Sequence, residues 1–314
     1  MEELGRRIAS IQGRVPPHLG RKLLFVFAAD HGITEEGISA YPKEVTAQMT
    51  YNFVNGGAAI NVLARYYGVD VEVIDVGVDY EFPKLKTLRD LKIRRGTNNF
   101  ARGPAMTRAE ARRSIEAGMS LVGEVALENL FVLGAGEMGI GNTSSAAAVL
   151  CALSGVPPRE VTGRGTGVDE QTWRKKVATI ERGLKLNRPD LDDPLDVLAK
   201  VGGLEIGAMA GVMLGAAAHR IPMMLDGYIS TAAALLAARM NPHVTQTLIA
   251  SHLSAENGHR AMLDRIGLKP LFDLGMRLGE GTGACIAMAL AEAAVKIMRE
   301  MATFDSAGIE KKIP

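Results

Sequence analysis

Short apolar runs alternate along the chain with longer stretches in which apolar positions recur at helical spacing. The short runs predict strands at 23–29, 69–76, 130–133, 159–162, 221–225 and 247–250. The longer patterns predict helices at 43–67, 107–128, 142–154, 170–186, 204–219, 231–240, 255–266 and 285–301. Strands separated by helices make βαβ units, and such units demand parallel pairing with right-handed crossovers. The expected fold is therefore α/β: a mostly parallel, Rossmann-like sheet with helices on both faces. The stretch 187–194, rich in Asp and Pro, fits either a boundary or a long surface connection.

Several predicted strands run directly into polar or glycine clusters. The first ends at Asp30-His31-Gly32, and the third runs into Gly134-Ala-Gly-Glu-Met-Gly-Ile-Gly-Asn-Thr143. The last two end at Asp226-Gly227 and Ser251-His252. In open parallel sheets, ligands bind beyond the carboxyl ends of the strands. Polar residues from distant parts of the sequence are thus expected to meet in one crevice.

Composition narrows the classes. The 314 residues are 47% hydrophobic, enough for a large core. Lys plus Arg number 36 and Asp plus Glu 35, a net +1 that gives no electrostatic basis for binding nucleic acid or an anionic membrane. Cys151 and Cys285 sit in apolar helical patterns and read as buried free thiols of a reduced compartment. The charged start Met1-Glu-Glu-Leu-Gly-Arg-Arg7 is followed by no signal-peptide core, and the longest apolar stretch, 206–218, is shorter than the ~20 residues of a membrane span. A soluble, cytoplasmic protein is expected.

Four constellations could carry chemistry. The first is Gly134–Thr143, read as a glycine-rich turn between a strand and a helix start. Free N–H groups there would face a phosphate. Gly134-x-Gly136-x-x-Gly139 formally fits the dinucleotide fingerprint, but Glu160 lies before Val161-Thr162 rather than after that strand, where a ribose-binding acid belongs. Gly141 and the capping pair Asn142-Thr143 favour phosphate binding, and Glu137 adds an acid that a plain cradle does not need. The second is Leu278-Gly-Glu-Gly-Thr-Gly283, in which Glu280 is either an acid near a helix dipole or a partly desolvated general base. The third is the loop 161–169, followed by Arg174-Lys175-Lys176, where a lysine could reach a phosphate or simply face water. The fourth joins Asp30-His31-Gly32 to Ser39-Ala-Tyr-Pro-Lys43 and Gln48; Tyr41 is either an aromatic wall or ordinary packing. The six histidines have no zinc-type spacing, so no metal is expected.

Taken in order, these segments resemble the nicotinate-nucleotide:dimethylbenzimidazole phosphoribosyltransferase family. The resemblance rests on Asp30-His-Gly-Ile33, Ser39-Ala-Tyr-Pro-Lys-Glu-Val-Thr-Ala-Gln-Met49, Asn55-Gly-Gly-Ala-Ala-Ile-Asn61 and Gly136-Glu-Met-Gly-Ile-Gly-Asn-Thr143. It continues through Gly163-Arg-Gly-Thr-Gly-Val-Asp169, Asp226-Gly-Tyr-Ile-Ser-Thr231, Leu278-Gly-Glu-Gly-Thr-Gly-Ala284 and Phe304-Asp-Ser-Ala-Gly308. It implies transfer of phosphoribose from nicotinate mononucleotide to 5,6-dimethylbenzimidazole in cobalamin nucleotide-loop assembly, with no cofactor and a homodimeric enzyme. It implies that Glu280 is the general base and Glu137 a second acid near the ribose. It also implies that Gly139, Ile140, Gly141, Asn142, Thr143 and Lys176 hold phosphate and ribose, and that Tyr41, Gln48, Ser254 and Leu278 line the aromatic-base pocket. The domains it implies are a core at 23–284 and a small helical domain from 1–22 and 285–314. Members open with a longer segment carrying a Lys-Pro-Pro-Gly-Ser-Leu-Gly-like motif, and lack of it is expected to weaken the small domain or the dimer. Ala40 stands where a Ser occurs in relatives, and Ser144 where a second Thr is common. The competing readings are a nucleotide-dependent oxidoreductase and an inactive nucleotide-binding relative.

Overall fold

A computed structural model describes residues 1–126 and 128–310. Leu127, within the predicted helix 107–128, and residues 311–314, within the expected terminal domain, lie outside the described residues. The chain runs α1 (Glu2–Gln12), β1 (Arg21–Ala29), α2 (Val45–Val54), α3 (Ala59–Tyr67), β2 (Asp70–Gly77) and β3 (Leu88–Asp90). It continues with α4 (Arg108–Val125), β4 (Leu130–Met138), α5 (Asn142–Ser154), α6 (Pro158–Val161), α7 (Glu170–Asn187) and α8 (Pro194–Val201). Then come α9 (Leu204–Ala218), β5 (Met223–Leu225), α10 (Tyr228–Met240), β6 (Leu248–Ala250), α11 (His259–Arg265) and α12 (Thr282–Glu300).

The strands form a parallel sheet in the order β3-β2-β1-β4-β5-β6. The order reverses beside β1, the switch point at which such sheets open a crevice. Central strand β1 is apolar on both faces because helices cover both. Leu23, Phe25 and Phe27 pack with α4, α5, α8, α9 and α10. Leu24 and Val26 point the other way, into a core shared with Leu4 and Ile8 of α1, Ile60 of α3, and Cys285 and Met288 of α12. Cys151 and Cys285 are buried and free. Among the described residues, no helix is long and apolar enough to cross a membrane.

Four departures from the sequence pattern matter for the site. The predicted helix 43–67 is two helices, α2 and α3, broken at Asn55-Gly56-Gly57. Gly56 takes a φ of +76°, and the break points the start of α3 into the crevice. The predicted strand 159–162 is instead the helical turn α6. Pro158 sits at its first position, where a fixed φ and a missing N–H suit a helix start and not a ladder. The predicted helix 255–266 begins only at His259, after Gly258 turns at φ +87°. Finally, β4 runs to Met138, so Gly134 and Gly136 belong to a strand and not to a turn. The elements β3, α1 and α8 lie outside the predicted strands and helices, although α1 buries Leu4, Ile8 and Ile11 and α8 buries Val197, Leu198 and Val201 at helical spacing.

Candidate active site

The two glycine-bracketed acids arrive by different routes. Glu137 is the penultimate residue of β4, paired in register with Phe27 of β1. Its side chain is buried at the carboxyl edge of the sheet, and Oε2 accepts a hydrogen bond from Asn142 Nδ2 at the start of α5. Glu280 lies in a loop whose successive residues Gly279, Glu280 and Gly281 have φ of +85°, +63° and +87°. For a glutamate this left-handed backbone is uncommon and costs roughly 1–3 kcal/mol. The surroundings hold it there. Ile60 N, in the first turn of α3, donates to Glu280 Oε2 at 3.0 Å. Thr282 Oγ1 donates to the Gly279 carbonyl at 2.9 Å. Asp226, just past β5, accepts from Gly283 N at 2.7 Å, Ala284 N at 3.1 Å and Gly281 N at 3.3 Å.

Absent side chains bring the two acids together. A Cβ on Gly136 would overlap the Glu280 carbonyl, so the loop lies directly on the backbone of β4. A Cβ on Gly279 would lie 2.5 Å from Glu137 Oε1. The fingerprint reading is thereby corrected. Gly134 and Gly136 do not wrap a pyrophosphate; they are strand residues against which the helix-α12 end of the chain packs.

Burial pushes the Glu137 carboxyl up to about 8, with further upward pressure from Glu205, Asp226 and Glu280. Burial pushes Asp226 up to about 6, opposed by the backbone N–H groups it accepts from. Burial also raises Glu280, opposed by the Ile60 N–H. The crevice is thus a water-poor site crowded with acids. A cation held there gains strongly from them, and so does a group that gives up a proton.

The next part of the motif forms the start of α5. Ile140 N donates to Thr46 Oγ1 at 3.1 Å, tying the turn to α2. Gly141 takes φ +97° and leads into Asn142 and Thr143. Thr143 Oγ1 accepts from Lys176 Nζ at 2.7 Å. Lys176 is 2% exposed, and burial pulls its ammonium down to about 8. The expected water-facing basic run holds for Lys175, which is exposed, but not for Lys176, which is buried against the start of α5. Gly165 lies against both, since a Cβ there would be 2.9 Å from Thr143 Oγ1 and 3.0 Å from Lys176 Nζ. An anion at this point would meet a lysine, a hydroxyl and a helix N-terminus.

Three loops close over this end. Thr166 Oγ1 accepts from Ala40 N at 2.9 Å, and Arg277 Nη1 donates to the Gly165 carbonyl at 2.8 Å. Tyr41 and Leu278 flank these contacts and are 55% and 60% exposed. Ser254 is buried beside Gly227, its N–H donating to His259 Nδ1 at 2.8 Å. Gln48 lines a small cleft of about 250 Å³ with Asp30, Tyr51 and Tyr80. A cleft of about 880 Å³ is lined by Tyr41, Lys43, Arg94 and Arg102 and contains none of Glu137, Glu280 or Lys176. The two acids are buried and lie outside this cleft.

Residues singled out only as strand ends or flanks also contribute. His31 is buried between Glu205 Oε1 at 2.7 Å and Ser145 Oγ at 3.0 Å. Glu205 is the second residue of α9, where an acid before a long apolar run gives no signal of a site. Asp226 carries more of the site's geometry than the Asp-Gly pair after a strand had suggested.

A family model for a phosphoribosyltransferase matches residues 1–309. A nicotinate-nucleotide–dimethylbenzimidazole phosphoribosyltransferase of Geobacter sulfurreducens is 55% identical over 309 residues, covering 98% of this chain and 88% of that protein. The Chloroflexus aggregans protein of the same name is 53% identical over 312 residues, covering 99% and 88%. The crystal structure of CobT from Thermus thermophilus superposes with a TM-score of 0.94 at 49% identity, covering 99% of this chain and 93% of that one. With a family model spanning nearly the whole chain, the same fold and about half of all residues identical, the chain belongs to the nicotinate-nucleotide–dimethylbenzimidazole phosphoribosyltransferase family.

Proposed function

We propose that the protein transfers phosphoribose from nicotinate mononucleotide to 5,6-dimethylbenzimidazole, giving α-ribazole 5′-phosphate and nicotinate for the cobalamin nucleotide loop. The observation that carries the reading is the meeting of Glu137 with the Glu280 loop, through Gly136 and Gly279, in one buried crevice. The sugar carbon C1′ sits between the two acids, and the 5′-phosphate lies toward Thr143, Lys176 and the start of α5. Gly139, Ile140, Gly141 and Asn142 shape the ribose and phosphate side. Tyr41, Gln48, Ser254 and Leu278 form the walls for the flat base.

The chemistry follows from the charges. The C1′–N bond breaks with its electron pair moving to the pyridinium nitrogen, so nicotinate leaves without needing a proton. Positive charge then grows on the ribosyl group. In the free protein Glu137 is held neutral near pH 7 by burial, but a bound pyridinium cation favours its ionised form. The resulting carboxylate stabilises the ribosyl charge in a site from which water is excluded. The free lone pair of the benzimidazole attacks C1′ from the opposite face and forms the new C–N bond. The cationic ring loses its N–H proton to Glu280. A carboxylate raised toward neutrality is well matched to that task, and such help is worth about 10²–10⁴-fold.

The family membership further supports a homodimer, which light scattering of the purified protein measures directly. The activity is tested by incubating the protein with both substrates and separating the products chromatographically. The expected result is release of nicotinate and a ribazole phosphate in equal amounts, only when both substrates are present. Absence of product under all conditions would contradict the reading.

A further inference from the structure

Asp226 is buried, and no step of the transfer uses it. Its carboxylate accepts from Gly283 N and Ala284 N with Oδ1, and from Gly281 N with Oδ2. These are the opening N–H groups of α12, a 19-residue helix whose N-cap, Gly281, has no side chain to satisfy them. Asp226 therefore caps α12 from the turn that follows β5. One residue before that cap stands Glu280, in the left-handed conformation its side chain disfavours. Gly283 is wedged between Asp226 and His252, with no room for a Cβ, so this helix start cannot slide. Thr282 closes the loop from behind through the Gly279 carbonyl.

We propose that Asp226 is a positioning residue for the transfer, fixing the Glu280 carboxylate against the benzimidazole N–H by clamping the backbone on the helix side of the loop. The inference rests on the reading of Glu280 as the base. An ionised carboxylate is required, since the three N–H groups it accepts from converge on its two oxygens, and an amide would turn a donor toward one of them. A simple helix cap would contribute stability alone. A positioning residue acts on the rate and does so only through Glu280.

The test is a double-mutant cycle of Asp226→Asn with Glu280→Gln, reading kcat, the KM for each substrate and the thermal midpoint. With Glu280 present, Asp226→Asn is expected to lower kcat roughly 10²-fold, the cost of a misplaced catalytic group, with little change in the KM for nicotinate mononucleotide. In the Glu280→Gln background, the same change is expected to leave kcat within about threefold, because the two residues act as a unit. An unchanged kcat with Glu280 present, or an equal loss in both backgrounds, would overturn the proposal while leaving Glu280 as the base. Near-normal turnover of Glu280→Gln alone would instead overturn the base assignment, and the proposal with it. If Asp226→Asn does not fold, Thr282→Val in the same cycle decides by the same criteria, since it loosens the loop without altering a buried charge.

Discussion

Glu137 and Glu280 look alike in the sequence: each is an acid bracketed by glycines near the start of a helix. In the fold they are held by opposite means. Glu137 is carried by regular structure, the end of a parallel strand whose extended backbone any residue adopts. Glu280 is carried by irregular structure, a left-handed loop that persists because Asp226, Thr282 and the start of α3 over-determine it. The glycines differ in the same way. Gly136 is there to let another backbone approach, whereas Gly279 and Gly281 adopt backbone angles that other residues resist. An acid whose role is electrostatic can stand on a strand and be tuned by burial. A base that must meet one proton needs its backbone fixed as well.

The largest effect is expected from Glu280→Gln, which keeps size and backbone but removes the base. Turnover should fall about 10²–10⁴-fold while the nucleotide still binds, measured by steady-state kinetics and calorimetry. Next is Gly136→Ala. Its Cβ would collide with the Glu280 carbonyl, and a displaced loop should cost roughly 10²-fold in kcat. Gly134→Ala is the control, since its Cβ meets mainly the flexible end of Met288. Equal losses at the two positions would remove the distinction between them. Lys176→Met should raise the KM for nicotinate mononucleotide by about 10–100-fold, the value of a charge-assisted hydrogen bond, and leave that for the benzimidazole unchanged.

The smallest effect is on stability. Glu137 has a folded-state pKa of about 8, above the ordinary value of 4.5. Between those values the folded state holds a proton that the unfolded chain has lost, so its contribution is complete at low pH and is lost as pH rises through about 8. Melting curves from pH 5 to 8 should therefore decline less steeply for Glu137→Gln than for the parent protein. Identical slopes would show that Glu137 is already ionised in the free protein.

Much of this was legible from pattern. The apolar run of β1 marks a strand buried on both faces, and Asn142–Ser154 is a helix with the bounds its composition suggests. The glycines of β4 misled because local sequence cannot distinguish a glycine that turns from one that yields space to a distant loop. The helix break at Asn55-Gly56-Gly57 stands in the sequence, yet its purpose appears only when Ile60 meets Glu280. The roles of Asp226 and Glu205 were hidden for the same reason, since their partners lie 55–58 and 174 residues away.

The anomeric configuration of the product tests the two-acid account most directly. Proton NMR of the ribazole phosphate made from β-nicotinate mononucleotide reads it from the H1′ signal. If Glu137 only stabilises charge while the base attacks from the opposite face, the product is the α-anomer, formed by one inversion. A β-anomer would mean that a carboxylate first bonds to C1′ and is then displaced, and would contradict the division of labour assigned to Glu137 and Glu280.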